Sequence, residues 1–335
     1  MDQPLISILT PFKNTAQFLP ECLDSIRNQS YANWELLIVN DHSTDNSVEL
    51  VNTYAKDDKR IKVLNNEGHG IIEALRTAFK NSKGDYITRM DSDDLMHPEK
   101  LILMLKDLQT YGPNHVALGL VKYFSATGIS DGYSRYEKWL NILSEKGSNY
   151  SEIYKECVIA SPCWMIHKDD LLRCEAFEPN RYPEDYDLTF RFYKHNMKCI
   201  PSNNLLHYWR DYSHRTSRTH EHYAQNYFLD IKLHYFIELD YDHKRTLTVW
   251  GAGNKGKTIA KLLVEKEIPF HWICDNPKKI GKSIYGQKLK NFDHLETLKN
   301  PQSIVTVANE DAQTEIKQHF KNWQMIAMVD YFFFC

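Results

Sequence analysis

The 335-residue chain carries nearly balanced charge, with 41 lysines and arginines against 44 acidic residues and a formal net charge of -3. A general nucleic-acid-binding protein normally shows a basic excess, so the composition argues against that class of partner. The hydrophobic fraction of 42% supplies a full core, and the length suits one large or two ordinary domains. The seven cysteines form no CxxC pair, which predicts reduced thiols rather than a disulfide framework.

The apolar runs of the sequence bear on localisation. The first ten residues, MDQPLISILT, lack the basic region of a secretory signal peptide. No stretch approaches the roughly 20 apolar residues that a membrane-spanning helix needs. We therefore expect a cytoplasmic protein with no transmembrane segment, and peripheral association with the inner membrane face stays open.

Strand and helix patterns alternate through the first hundred residues. A β-branched apolar run at 5–10 predicts a strand, and apolar residues at helical spacing across 16–29 predict the helix that follows. The same unit recurs at 34–54 and at 60–79, and 85–90 is predicted as a fourth strand. This alternation predicts a parallel sheet whose βα loops gather at the carboxyl ends of the strands.

Ligands of open α/β sheets bind along that carboxyl edge. The first βα loop, TPFKN, contains no glycine, so a standard dinucleotide-binding fold is not predicted for this half of the chain. Asp91, Asp93 and Asp94 follow the fourth predicted strand, and like charges this close repel unless something neutralises them. A cluster of carboxylates prefers a hard cation such as Mg²⁺ or Mn²⁺, and such ions are usually shared with substrate phosphates. We expect a divalent metal and a nucleoside diphosphate ligand here.

Four segments of this half resemble, in order and spacing, the opening blocks of the family 2 inverting glycosyltransferases, nucleotide-sugar enzymes of the GT-A fold. The segments are SILTPFKN, LLIVNDHSTDNS, NNEGHGIIEALRTAF and GDYITRMDSDDLMHPEKL. The resemblance continues to about residue 220 through SPCWMIHKDDLL, YPEDYDLTFRF and HYWRDYSHRTSRTHEHY. It implies an α/β fold with a GT-A-type nucleotide-sugar-binding domain over 1–220.

The resemblance also implies roles for residues of the first four blocks. Pro11 and Asn14 would lie against the nucleoside, and Asp41 would accept a hydrogen bond from the base. Asp91 and Asp93 would form the Asp-x-Asp element that binds donor and metal, with Asp93 as the direct metal ligand.

Later blocks supply the implied catalytic and phosphate-binding groups. By position Asp185 corresponds to the family's general base, and Glu184 is the less favoured candidate for the same role. Arg215 and Arg218 suit bidentate pairing with a diphosphate, because the guanidinium fork matches that geometry.

Plainer interpretations of these residues remain open at the level of sequence. The loop 91–94 could be a solvated acidic loop that caps the next helix, and Asp41 could simply cap the second helix. Pro183 followed by two acidic residues is also what a helix N-terminus favours. The chain departs from the family at Lys13, where many relatives carry an aromatic residue, and at Arg76, where an Asn is common.

The last ninety residues resemble a second, smaller domain. A connecting helix is predicted at 221–243, followed by a Rossmann-like α/β domain at 244–335. Its first strand leads into a G-x-G-x-x-G loop formed by Gly251, Gly253 and Gly256. Asp275 comes nineteen positions after Gly256, near the spacing at which a carboxylate meets a ribose. A tentative nucleotide site and a degenerate module used for assembly or acceptor positioning fit this pattern equally well. The terminal VDYFFFC predicts a last buried strand of the same sheet.

Taken together, the sequence predicts a metal-dependent inverting glycosyltransferase that moves a sugar from a nucleotide-sugar donor, a UDP-sugar by resemblance, to an acceptor hydroxyl. The expected context is polysaccharide biosynthesis at the cell surface, with a glycan or lipid-linked glycan as acceptor. A nucleotidyltransferase is the first alternative, although TPFKN lacks the glycine-rich basic phosphate loop of such enzymes. A non-catalytic nucleotide-binding or assembly protein is the second, and intact Asp93 and Asp185 argue against it. The sequence leaves open the sugar, the linkage and whether the chain forms a homo-oligomer.

Overall fold

The structure, a computed structural model, describes residues 3–213, Arg215 and residues 228–335. The chain divides into two compact units. The first comprises 1–150 with 157–219, and the second comprises 151–156 with 220–335. The hexapeptide 151–156, which carries no boundary signal in the sequence, therefore packs with the second unit.

The first unit is built on a seven-stranded sheet with the order β3-β2-β1-β4-β8-β6-β9. Its first four strands are parallel, as the alternating pattern predicts. They are β1 (Ile6–Phe12), β2 (Trp34–Asn40), β3 (Ile61–Asn65) and β4 (Tyr86–Arg89). The helices between them are α1 (Leu19–Arg27), α2 (Ser47–Asp57) and α3 (Ile71–Asn81).

The rest of that sheet is mixed, which no local pattern indicated. Strand β8 (Trp164–His167) runs antiparallel to both β4 and β6 (His115–Leu118), and β9 (Lys198–Ile200) is parallel to β6. A separate three-stranded sheet joins β5 (Leu95–Met96), β10 (Leu205–Arg210) and β7 (Leu120–Phe124). The remaining helices are α4 (Lys100–Tyr111), α5 (Asp131–Lys146), α6 (Lys168–Arg173) and α7 (Glu184–Lys194), with a 3₁₀ turn at Asn149–Glu152.

Burial explains why the parallel strands read as continuous apolar runs. Ile6, Ile8, Leu36 and Ile38 have no exposed surface, because helices cover both faces of the sheet. Most of the few polar residues inside these strands are buried and paired, as where the hydroxyl of Ser7 donates to Glu35 over 2.6 Å. The loops at the carboxyl edge carry most of the polar residues of this region.

The second unit contains an all-parallel sheet with the order β15-β12-β11-β16-β17. Its strands are β11 (Thr246–Trp250), β12 (His271–Cys274), β15 (Lys290–Asn291), β16 (Pro301–Val305) and β17 (Tyr331–Phe333), and β13 (Ser283–Ile284) pairs with β14 (Gln287–Lys288) as a small hairpin. The helices are α8 (Leu229–Leu239), α9 (Asn254–Glu265) and α10 (Glu310–Asn322), with a 3₁₀ helix at Phe292–Thr297. The predicted final strand is confirmed, since β17 pairs with β16.

Of the predicted connecting helix at 221–243, residues 221–227 lie outside the described residues, and α8 occupies part of the remainder. Nowhere in the described ranges does a helix combine the length and the apolar character that crossing a bilayer requires.

Candidate active site

The acidic loop after β4 holds three carboxylates in different environments. Asp94 has no exposed surface. It accepts a 2.7 Å hydrogen bond from the backbone amide of Arg210, and its Oδ2 lies 2.9 Å from Nε2 of His207. Burial lowers the pKa of His207, so the ring is neutral. Nζ of Lys100 lies 3.5 Å from Nδ1 of His207, which makes Nδ1 the acceptor and leaves Nε2 to donate to Asp94. Asp94 is thus held by the small sheet of the first unit.

Asp93 lies beside this pair and is less tightly held. The hydroxyl of Tyr212 donates to Oδ2 of Asp93 over 2.9 Å. Burial, followed by the charges of Asp94 and Asp91, raises the pKa of Asp93 to about 7, although Arg215 and Tyr212 oppose that shift. The charges of Asp94 and Asp91 thus raise the cost of ionising Asp93, and a bound cation would offset that cost.

The oxygen atoms of the acidic loop are suitable ligands for a hard divalent metal. The side chains of Asp91 and Asp93 offer carboxylate oxygens, which Mg²⁺ and Mn²⁺ prefer, whereas Asp94 is committed to His207 and Arg210. Asp91 is about one-fifth exposed, so the loop is open to a ligand. These residues therefore fit a metal held by Asp93 and Asp91.

Arg89, the last residue of β4, connects the acidic loop to helix α7. Its Nε donates to Oδ1 of Asp91 and its Nη1 donates to Oε1 of Glu184, each over 2.9 Å. Both Arg89 and Glu184 are buried. The charges of Asp91 and Glu184 raise the pKa of Arg89 against the opposing effect of burial, so the arginine is charged. This bridge fixes the start of α7 next to the predicted metal loop.

Asp185 follows Glu184 at the start of α7 and is half-buried. Its Oδ1 accepts a 2.8 Å hydrogen bond from the backbone amide of Tyr186. Burial and the charge of Glu184 raise the pKa of Asp185 to about 7, with Arg89 opposing. A carboxyl with a pKa near neutrality, close to a metal loop, has the properties of a general base.

Replacing Arg89 by Met is expected to lower the free energy of unfolding by roughly 3–5 kcal/mol, because it leaves the buried Glu184 carboxylate unpaired. Urea denaturation followed by circular dichroism measures this loss. Arg89→Lys is the control, since it keeps the charge but cannot contact Glu184 and Asp91 through a guanidinium fork, and we expect a smaller loss. A loss below about 1 kcal/mol for Arg89→Met, the range of an exposed pair, would show that the bridge does not organise the site.

A second group of predicted residues lies at the ends of β1 and β2. Oδ1 of Asp41 accepts hydrogen bonds from Nδ2 of Asn66 over 2.7 Å and from the amide of Gly70 over 2.9 Å. Nζ of Lys13 lies 3.4 Å from Oδ2 of Asp41. Although burial raises the pKa of Asp41, these hydrogen bonds and the charge of Lys13 outweigh it and lower the pKa below its usual value. The departure from the family at Lys13 thus supplies the counter-charge of Asp41.

The first loop is tied to its neighbours by side-chain hydrogen bonds. Oδ1 of Asn14 accepts from the amide of Thr44 over 2.7 Å. Pro11 lies within β1, opposite Val39 of β2. The hydroxyl of Thr15 donates to Oγ of Ser92 over 3.0 Å, which links this loop to the acidic loop. Pro11, Asn14 and Asp41 therefore share one edge with the acidic residues, as predicted.

One other group of side chains in the described ranges could hold a metal. Ligand atoms of Asp41, His42 and His69 all lie within 4.8 Å of one another. Asp41 already accepts two hydrogen bonds and faces Lys13, whose charge opposes a cation there. Asp91 is likewise paired with a cation, Arg89, but the acidic loop offers carboxylate oxygens alone, the ligands that Mg²⁺ and Mn²⁺ prefer, whereas this group includes two imidazoles.

The predicted diphosphate-binding arginines have different outcomes. Arg215 lies over the ring of Trp209, 5.0 Å from its centroid, and the carboxylates of Asp94 and Asp93 raise its pKa against the effect of burial. It therefore belongs to the acidic cluster electrostatically. Arg218 lies outside the described residues.

Sequence reasoning missed the residues that hold the carboxylates in place, namely Arg89, Ser161, His207, Arg210 and Tyr212. One signal was available for Arg89. An arginine inside an otherwise buried strand requires a buried counter-charge, and its position two residues before Asp91 points to this loop.

Backbone conformation and close packing explain why two positions of the glycine loop in the second unit must be glycine. Gly251 has a φ of +120°, which L side chains rarely adopt, and a Cβ on Gly256 would lie 2.1 Å from the carbonyl oxygen of Gly251. A Cβ on Gly253 would meet nothing within 4 Å. Nζ of Lys279 donates to the carbonyl of Ala252 over 2.6 Å, and Asp275 is exposed just after β12. Strand–helix packing alone explains Gly251 and Gly256, whereas it does not require Gly253.

Gly253→Val is therefore expected to fold and to leave metal-dependent nucleotide binding by the first unit intact. If the loop also binds a nucleotide without metal, the valine should abolish that binding, since it blocks close approach of a phosphate. Titration calorimetry in EDTA, on wild type and variant, measures this. Gly256→Val is the matched comparison and should destabilise the fold, because its Cβ overlaps a backbone atom. A single nucleotide site in both wild type and Gly253→Val would eliminate a nucleotide role for this loop.

Comparison with known proteins finds similar sequences and similar folds. The sequence profile described as "Glycosyl transferase family 2" matches residues 7–173. The chain is 27% identical over 223 residues to Glycosyltransferase GlyG of Streptococcus pneumoniae serotype 4, covering 64% of this chain and 73% of that protein. It is 29% identical over 213 residues to Glycosyltransferase GlyA of the same organism, covering 61% of this chain but only 30% of that protein.

Solved structures share the fold at low sequence identity. S. aureus TarS 1–349, in complex with UDP-GlcNAc, matches with a TM-score of 0.55 and 18% identity over 78% of this chain and 72% of that chain. Mannosyltransferase PcManGT from Pyrobaculum calidifontis, in complex with GDP-Man and Mn²⁺, matches with a TM-score of 0.50 and 18% identity over 71% of this chain and 64% of that chain. The predicted GT-A-type α/β fold is confirmed.

Proposed function

Because this chain belongs to glycosyl transferase family 2 through residues 7–173, we propose that it transfers a sugar from a nucleotide-sugar donor to an acceptor hydroxyl with inversion at the anomeric carbon. One observation supports the proposal most directly. Arg89 donates hydrogen bonds both to Asp91 of the acidic loop and to Glu184 at the start of α7, and the pKa of the adjacent Asp185 is raised to about 7. The proposed donor-binding loop and the proposed base are thereby held next to each other.

Asp185 is the proposed base. Its carboxylate accepts the proton of the acceptor hydroxyl while that oxygen attacks the anomeric carbon, from the face opposite the leaving nucleoside diphosphate. A single displacement of this kind inverts the configuration and requires no covalent intermediate on the protein. Glu184 is paired with Arg89 and buried, so it positions Asp185 rather than taking the proton.

We assign the metal to Asp93 and Asp91, with Mn²⁺ or Mg²⁺ as the ion. When bound, such an ion acts as a Lewis acid on the oxygens of the leaving diphosphate. The guanidinium of Arg215 adds positive charge on the same side of the site, and Arg218 is proposed to do the same. Asp94 supports the loop through His207 and Arg210.

The donor is proposed to be a UDP-sugar. By resemblance to the family, Asp41 would accept a hydrogen bond from the base, and Pro11 and Asn14 would contact the nucleoside. Their shared position at the carboxyl edge of β1 and β2 supports these roles. The described complexes of the fold neighbours contain UDP-GlcNAc in one case and GDP-Man with Mn²⁺ in the other, which supports a nucleotide sugar and a divalent metal. The proposed acceptor is a glycan or lipid-linked glycan of cell-surface polysaccharide synthesis.

A thermal-shift panel of nucleotides, each with Mn²⁺ and with EDTA, tests the donor proposal. A ligand at 100 times its Kd stabilises by about 2.7 kcal/mol, which raises the midpoint by several degrees. We expect UDP with Mn²⁺ to give the largest shift. Stabilisation by nucleoside triphosphates and not by diphosphates or sugar nucleotides would favour a nucleotidyltransferase.

A further inference from the structure

The turn that leads into β17 presents four consecutive apolar residues, 326–329, at the surface of the second unit. Ile326 is 61% exposed and Val329 is 49% exposed. Ala327 between them is also exposed, and Met328 is half-buried. A run of this kind is unfavourable in water, and an exposed apolar patch commonly marks an interaction surface.

The turn is fixed by hydrogen bonds at both ends. The amide of Asp330 donates to the carbonyl of Ile326 over 2.7 Å, and Oδ2 of Asp330 accepts from the amide of Ile326 over 2.6 Å. The carbonyl of Val329 accepts from Nη1 of Arg245 and from Nε2 of Gln302, each over 3.0 Å. The apolar side chains are therefore displayed by a built turn.

A cavity of about 280 Å³ opens beside this turn, entirely within the second unit. Met328 belongs to both, so the apolar turn and the cavity form one continuous surface. Nζ of Lys155 lies 5.7 Å, and Nζ of Lys317 lies 5.4 Å, from the centroid of the Phe333 ring that lines the cavity. The carboxylate of Glu152, which also lines the cavity, is paired with Lys155, so the two ammonium groups leave one excess positive charge there. That excess makes the cavity suitable for a small anionic group.

Positive charge continues along helix α10. Lys321 follows Lys317 by four residues, which places both on one face of the helix. Lys155 is paired with Glu152, whereas Lys317 forms no ion pair with any residue that the structure describes. This local basic surface contrasts with the net charge of -3 for the whole chain.

From this combination we infer that the second unit docks on an anionic phospholipid membrane. A headgroup phosphate enters the cavity between Lys155 and Lys317, and Ile326 and Val329 insert among the acyl chains. A soluble anion would pair with the lysines but would leave the apolar turn exposed to water. A membrane surface pairs with the lysines and also buries the apolar side chains. The inference goes beyond the proposed function and does not depend on it.

Co-sedimentation of the full chain with phospholipid vesicles tests the inference. We expect binding to vesicles that contain phosphatidylglycerol, little binding to pure phosphatidylcholine, and weaker binding as salt concentration rises. Lys317→Gln should weaken binding about fivefold, the usual contribution of one lysine at an anionic surface. The double variant Ile326→Asp, Val329→Asp should weaken it at least about tenfold, since it places charge where acyl chains would pack.

Tyr285→Asp is the matched control, because Tyr285 is 47% exposed in the same unit but away from the lining of the cavity. It should bind vesicles like the wild type. A variant is used in the binding comparison only if its thermal midpoint matches that of the wild type. If the double aspartate variant unfolds, the double serine variant Ile326→Ser, Val329→Ser replaces it.

Three results would overturn the inference. They are absent binding to anionic vesicles, equal binding to neutral vesicles, and equal loss in Tyr285→Asp and the double variant. A midpoint raised by glycerol phosphate without any vesicle binding would likewise reject a membrane and assign the cavity to a soluble anion. Nucleotide-sugar turnover is not the readout, so failure here is separate from failure of the proposed function.

Discussion

Asp185→Asn is expected to reduce sugar transfer by roughly 10²–10⁴, the usual contribution of a general base. The amide preserves the shape of the side chain and its hydrogen bond with the amide of Tyr186, so the fold and donor binding should stay close to wild type. Initial rates with saturating donor, together with the Kd for the nucleoside diphosphate, separate the two effects. A loss in turnover with an unchanged Kd identifies the base.

Glu184→Gln is the matched control, since it alters the adjacent carboxylate of the same helix turn. We expect a smaller loss of turnover and a lower free energy of unfolding, because Glu184 is the buried partner of Arg89. If Asp185→Asn kept near-normal turnover and Glu184→Gln lost it, the base would be Glu184.

The pH dependence gives a further check on Asp185 when it is measured at saturating Mn²⁺, since Asp93, whose pKa is also raised to about 7, would otherwise contribute to the same profile. The pKa of Asp185 is raised to about 7 by burial and by Glu184, so the carboxyl is mostly protonated below that pH and cannot accept a proton. The wild-type kcat/KM should therefore rise as pH increases through about 7. A flat profile between pH 5 and 8 would argue against this assignment, since an ordinary aspartate titrates near 3.9.

Removal of the metal is expected to have the second large effect. With Mn²⁺ chelated by EDTA, the three carboxylates of the acidic loop repel a diphosphate, and nucleotide binding should weaken by about 100-fold or more. Asp93→Asn should lose most of the metal-dependent gain while the fold is kept, because an asparagine can still accept the hydrogen bond from Tyr212 and keeps the backbone contact with Arg210. Titration calorimetry with UDP in Mn²⁺ and in EDTA measures both.

Asp57→Asn serves as the control for the change in charge, because Asp57 is exposed at the end of α2. It should bind UDP like the wild type. Equal affinity of the wild type for UDP in Mn²⁺ and in EDTA would show that the acidic loop binds no metal that the nucleotide needs.

The parallel half of the first sheet could be predicted from sequence because each strand and the loop after it show their burial in a short stretch of sequence. Strands buried on both faces read as apolar runs, and the loops after them carry the polar residues. The positions of Asp41, Asp91 and Asp93 at one edge follow from that alternation alone.

The contacts that organise the site could not be predicted in the same way. Arg89 and Glu184 are 95 positions apart, and Asp94 and His207 are 113 apart, so no local pattern relates them. The antiparallel direction of β8 depends on which strands meet in space, since periodicity reports burial and not direction. For Asp185, the sequence indicated only that the residue corresponds by position to the general base of the family. Its raised pKa depends on burial and on the charge of Glu184 in the folded chain.

The most direct test of the central claim is product analysis after incubation of the protein with sugar nucleotides, an acceptor glycan and Mn²⁺. We expect release of a nucleoside diphosphate, with UDP-sugars as the best donors, and loss of that release in Asp185→Asn and in EDTA. Release of pyrophosphate from a nucleoside triphosphate and a sugar phosphate, with no diphosphate from any sugar nucleotide, would contradict it.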